Sequence, residues 1–199
     1  LQEADPTPFV ESLRRNPADR AAIDALRKIY VDGNRAVELI ELLLEQTEYI
    51  PNQEARAPLL CEVARLFDEE LHAADKAQVS LISAFLLDPT NEDVARQLSE
   101  VTTRGNLWAT LFAELGQAVA TEAHPTRRAG LCAWLGDWYL QAGHVAYAQP
   151  CYQQALTADP RSLRAMSGIA VIFEQAGDVT QLDQALVHMP PALPPGTPK

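Results

Sequence analysis

Apolar residues recur along this chain at spacings of three and four, the period of an amphipathic helix, and the runs are cut at regular intervals by Pro, Gly and Asn. Phe9 and Leu13 mark a short helix over residues 8–15, ended by Asn16-Pro17. Ile23, Leu26, Ile29 and Tyr30 mark the next, over 18–31, and Gly33 breaks it. Asn34 is the expected N-cap of a helix to residue 48 that carries Leu39, Ile40, Leu43 and Leu44. After a turn around Pro51, Leu59, Val63, Leu66 and Phe67 predict a helix over 54–71, and Asp75 the cap of its partner to residue 87. The series repeats over 91–104 and 107–123, with Asn106 as cap, then over 126–159, and finally over 162–176 and 179–187, with Asp178 as cap. Residues 190–199 hold five prolines and read as a linker or free tail.

The inward positions line up between these pairs. Leu26, Val63, Leu98, Leu135 and Ile169 follow one another at intervals of 37, 35, 37 and 34. One residue on stand Arg27, Ala64, Ser99, Gly136 and Ala170; four residues on stand Tyr30, Phe67, Thr102, Tyr139 and Phe173. A shift of 72 lays Pro17 on Pro89, Gly33-Asn34 on Gly105-Asn106, and Arg56, Ala57 and Leu59 on Arg128, Ala129 and Leu131. The chain therefore consists of repeated helical hairpins, none able to bury its apolar face without a neighbour.

The stretch from Leu131 to Pro160 carries the clearest signature. Tetratricopeptide (TPR) repeats follow W-x2-L-G-x2-Y, then A-x3-F, then P, in a unit of about 34 residues. This chain has Leu135, Gly136, Tyr139, Ala148, Tyr152 and Pro160 at those places, with Cys132 in the Trp position. The stretch resembles a TPR unit, and the array a degenerate TPR series. The resemblance implies an all-α fold: an α-α superhelix, or solenoid, of about five antiparallel hairpins. They would lie near 18–48, 54–87, 91–123, 126–159 and 162–188, with 8–15 a leading half-repeat, in one domain over 1–189. Gly136 and Ala148 are expected to meet across their hairpin, where small side chains let helices approach. Arg27 and Thr102 depart from the pattern. Pro150 falls inside an expected helix and costs it a hydrogen bond, so residues 144–149 are expected to be irregular or kinked.

Composition narrows the function. A net charge of −11 disfavours nucleic acid and anionic membrane as partners. No apolar run reaches the 18 residues of a membrane span. Nothing at the start, which is Leu1 and not Met, reads as a signal segment, as in a mature form or an excised piece. The expected compartment is the cytoplasm, or the periplasm if a leader has been removed. Arginine outnumbers lysine 13 to 3, a skew common in GC-rich bacteria.

Catalytic motifs are missing from the sequence, as are metal-ligand spacings: His72, His124, His144 and His188 lie near turns, and Cys61, Cys132 and Cys151 inside helical patterns. No cofactor and no enzyme activity are expected. Trp108, Trp134 and Trp138 are expected to pack between repeats or to serve as binding anchors. In the family the first helix of each pair lines the concave groove. By that correspondence the groove positions here include Lys28, Arg65, Asp68, Arg96, Glu100, Arg104, Asp137, Gln141 and Glu174, with Arg164 close by. The Lys/Asn/Arg clamp by which some members hold a C-terminal carboxylate is not reproduced. The resemblance implies a non-catalytic scaffold or adaptor for a peptide, helix or folded protein, with end helices able to pair two copies. Two alternatives are a carrier of an apolar small molecule or lipid in a helical cavity, and the scaffold domain of a larger enzyme.

Overall fold

Short polar side chains start the helices where the sequence offers them. Asp19, Asn91, Ser162 and Asp178 each accept hydrogen bonds from the next turn's backbone N–H groups. A computed structural model describes residues 5–187, and every element among them is helical. In chain order these are α1 (Thr7–Arg15), α2 (Arg20–Asp32), α3 (Ala36–Tyr49) and α4 (Gln53–Arg65), the last continued by a π-helical turn (Leu66–Glu70). They continue with α5 (Ala74–Leu87), α6 (Glu92–Gly105), α7 (Trp108–Thr121), α8 (Pro125–Gln141), α9 (Val145–Ala158), α10 (Leu163–Ala176) and α11 (Val179–Val187). The proline-rich tail lies outside the described residues.

The chain divides into two units, residues 1–111 and 112–199. In the first, α2 packs on α3 and α4 on α5 as hairpins, α3 on α4 joins one pair to the next, and α1 rests on α2. In the second, α8–α9 and α10–α11 are the hairpins, joined where α10 meets both α8 and α9. The hairpins are antiparallel helix pairs, and their anchors carry the cores: Leu26, Val63, Leu98, Leu135 and Ile169 are all buried. Leu26, Leu43, Val63 and Leu66 share the core of the first unit. Tyr152, Ala148, Ala165 and Ile169 share that of the second.

Three local expectations are corrected. Asn34 and Asn106 do not cap the helices after them. Both take left-handed backbone, φ 52° and 51°, and close the preceding turn, so α3 starts behind Arg35 and α7 behind Leu107. A short polar side chain after Gly suits either role, and here the tight turn wins. Asp75 lies inside the first turn of α5 behind the capping residue Ala73, because His72 takes the left-handed position. Pro150 neither delays nor breaks α9, which runs unbroken from Val145. The bond it forfeits is that to the Ala146 carbonyl; both residues are exposed near the start of the helix, where water reaches that carbonyl.

Candidate interaction surface on the first helices

Arg27 occupies a position that the repeat pattern gives to a small residue. It is accommodated because its guanidinium leaves the hairpin and pairs with Glu62 on α4. Nη2 donates to both carboxylate oxygens, at 2.7 and 2.6 Å, with both side chains about two-thirds buried or more. A second pair makes a similar crossing, with the arginine now on the later helix. Arg104 near the end of α6 donates to both oxygens of Asp68, which sits in the π-helical turn after α4. In that turn the Leu71 N–H reaches back five residues to the Leu66 carbonyl. A third pair lies in the second unit: Arg164 of α10 donates to Asp137 of α8 at 2.6 Å. Each of the three joins the first helix of one hairpin to the first helix of the next.

The Asp137 pair has further support. The Tyr152 hydroxyl donates to the other Asp137 oxygen at 2.6 Å. The Arg164 guanidinium lies 3.5 Å over the ring of Trp134. Trp134 in turn stacks on the buried Trp138, centroids 5.3 Å apart. Trp134 is half-buried, so a flat Trp–Arg ledge on α8 and α10 meets solvent at its edge.

Other sequence-predicted positions pair within one helix. Arg65 meets Glu69 at 2.9 Å, and Arg96 meets both Asp93 and Glu100 at 3.3 and 3.0 Å, all largely exposed. Glu100 and Asp93 hold the Arg96 guanidinium above its ordinary value by hydrogen bonding. Lys28, Gln141 and Glu174 stand exposed on α2, α8 and α10. Of the ten residues picked from the sequence, the structure thus joins Asp68 to Arg104, Arg96 to Glu100, and Asp137 to Arg164. Sequence reasoning missed Arg27 with Glu62, set aside as a departure. The available signal was opposite charge at about one repeat length: 35 residues from Arg27 to Glu62 and 36 from Asp68 to Arg104.

None of the three thiols is activated. Burial pushes Cys61, Cys132 and Cys151 above the ordinary range, Cys151 to about 11. Among the described residues no group of three or more His, Cys, Asp or Glu is placed to hold a metal ion, and no helix is long and apolar enough to cross a membrane.

No family model and no curated protein matches the chain. Among solved structures it is similar to MamA, at 18% identity, covering 80% of this chain and 91% of that one, with a TM-score of 0.44. It is similar to PilF of Pseudomonas aeruginosa at 17% identity, covering 85% and 74%, with a TM-score of 0.47. It is also similar to YrrB, described as a TPR protein with an unusual peptide-binding site, at 14% identity, covering 92% and 93%, with a TM-score of 0.46.

Proposed function

We propose that this chain is a non-catalytic interaction module that holds a protein partner, as a peptide, a helix or a folded surface, along its first helices. The supporting observation is the Trp134–Arg164 ledge. Trp and Arg dominate interface energies because each offers a large flat face together with polar donors. Here Trp134 is backed by the buried Trp138, and Arg164 by Asp137, which the buried Tyr152 holds in turn, so little ordering cost remains for binding. The predicted residues supply further polar surface within each unit. Arg65, Arg96 and Arg104 would steer acidic groups of the partner, and Asp68, Glu100 and Asp137 basic ones. Lys28, Gln141 and Glu174 would complete the polar rim. The net charge of −11 favours a basic or neutral partner in the encounter.

Two variants test the reading in different units: Trp134→Ala, and Arg65→Glu with Arg96→Glu. Partners captured by the tagged wild-type chain and identified by mass spectrometry should be lost or weakened in both variants, with helicity by circular dichroism unchanged. Full retention in both would move the site away from the first helices.

A further inference from the structure

The first unit holds an open cleft of about 280 Å³ lined from α1, α2 and α3. Val10 and Leu13 of α1, Leu26 of α2 and Leu42 of α3 supply its apolar surface. Glu38, Glu41 and Glu45 follow one another along one face of α3 and make its acidic side. Arg14 of α1 is the cation that lines it. Arg35 already pairs with Glu38 at 2.7 Å, whereas Glu41 and Glu45 are exposed and form no ion pair among the described residues. Two free carboxylates thus share the cleft with one guanidinium, and one negative charge is left unbalanced.

Tyr30 of α2 adds a second, independent feature. It lines the cleft and is 7% exposed. The Arg35 guanidinium lies 5.0 Å from the centroid of its ring, yet its hydroxyl makes no hydrogen bond among the described residues. That hydroxyl is not sealed from solvent: among the described residues, Gln78 Oε1 is the unpaired side-chain atom that water cannot reach. It therefore opens to the cleft. Burial holds it above its ordinary value, with Glu38 and Glu41 adding to the rise against Arg35, so it stays protonated at neutral pH and its oxygen is a free acceptor.

An ammonium group carries three donors and no acceptor, which suits one hydroxyl oxygen beside unpaired carboxylates. The volume lies at the small end of ligand sites, and apolar surface with a few convergent polar groups is their usual composition. We infer that this cleft binds a small organic amine with an apolar body. The body would pack against Leu13, Leu26 and Leu42, and the ammonium would donate to the Tyr30 hydroxyl and to Glu41 or Glu45. This site does not rest on the partner surface proposed above.

Phenethylamine is a suitable probe, because phenethyl alcohol and phenylacetate are neutral and anionic analogues of nearly the same size. Amide shifts of the full ¹⁵N-labelled chain would be followed during titration with each. Saturable shifts confined to α1, α2 and α3 are expected, with the amine binding about fivefold more tightly than the alcohol and phenylacetate weakest. Glu41→Gln with Glu45→Gln, both at exposed positions, should bring amine and alcohol together without altering helicity. Tyr30→Phe keeps the ring and removes only the hydroxyl, and should weaken the amine about threefold. Equal affinities in the wild-type chain, shifts centred elsewhere or spread over the acidic surface, or no saturable shift at millimolar amine would each overturn the inference. So would an unchanged preference for the amine in the double variant, or undiminished binding in Tyr30→Phe. A capped Leu-Lys-Leu peptide that bound more tightly than the amine would assign the cleft to a lysine of a protein partner and overturn the small-molecule reading.

Discussion

Tyr152 fills the space that a side chain at Gly168 would need. A Cβ built on Gly168 would lie 2.1 Å from the ring of Tyr152, and one on Gly136, on the other side, would lie 2.6 Å away. The ring of α9 is thus gripped between glycines of α8 and α10. Gly136 was expected to meet Ala148 across the hairpin; the atoms nearest to a Cβ built on it belong instead to the Tyr152 ring.

Gly168→Ala should therefore destabilise the second unit, although alanine is the better helix former. The overlap costs about 3 kcal/mol, offset by about 1 kcal/mol of helix propensity. A net loss of about 2 kcal/mol is expected in urea denaturation. Gly130 of α8 is the control: an added Cβ meets nothing within 4 Å, so Gly130→Ala should raise stability by up to about 1 kcal/mol. Equal effects at the two sites would show that Tyr152 is not the cause.

The ion pairs between first helices should be worth more than those within one helix. Asp137 and Arg164 have side chains 29% and 32% exposed and share a buried tyrosine hydroxyl, whereas Arg96 and Glu100 are 59% and 60% exposed. Double-mutant cycles are expected to give a coupling of about 1 kcal/mol for Asp137–Arg164 and about 0.3 kcal/mol for Arg96–Glu100. Raising the salt concentration should erase the second before the first. A larger coupling for Arg96–Glu100 would contradict this ranking.

The anchors were legible in the sequence because burial imposes a period. Leu26, Val63, Leu98, Leu135 and Ile169 must each face a neighbour, and a spacing near one repeat length records that. Apart from the start of α9, where Pro150 misled, the helix limits were legible to within a residue or two for the same reason. Asn34 and Asn106 were misread because one residue type suits both a cap and a left-handed turn. Pro150 was misread because the cost of a proline depends on whether its orphaned carbonyl is wet, which sequence does not say. The pairing of Arg27 with Glu62 and the grip of Gly168 on Tyr152 depend on how neighbouring hairpins are rotated. No local pattern carries that rotation, so the sequence names charged positions without saying which of them pair.

Thr102 shows what a departure from the pattern can conceal. An aromatic residue belongs at its position, yet Thr102 is fully buried and accepts a hydrogen bond from Gln78. Restoring the consensus with Thr102→Tyr should harm the first unit, because Gln78 and Leu107 occupy the space and the amide would lose a partner. Thr102→Val keeps the volume and removes only the acceptor, leaving Nε2 its bond to Leu107. A loss of about 1 kcal/mol is expected for Val and a clearly larger one for Tyr, both by urea denaturation. A more stable Tyr variant would refute this account of the substitution.

Alkaline pH should weaken the second unit, and two adjacent residues set the window. Burial, with a smaller contribution from Cys132, raises the Cys151 thiol from 9.0 to about 11. Burial, then hydrogen bonding and charge at Asp137, raises the Tyr152 hydroxyl above its ordinary value of 10.0. Both groups are neutral when protonated, and folding favours that form. Their contribution is therefore intact below the unfolded values and is lost as pH rises through the folded ones. Stability should hold to about pH 9 and then fall, Cys151 acting first and Tyr152 above pH 10. Cys151→Ala should flatten the first part of that decline, between pH 9 and about 11, whatever it does to stability at pH 7. The slope of unfolding free energy against pH separates this from a simple packing loss, which shifts the whole curve without changing its shape. The same raised value makes Cys151 slow to alkylate at pH 7.5 in the folded chain and fast once urea exposes it. Rapid alkylation under native conditions, or an unchanged slope in Cys151→Ala, would place the thiol in a different environment.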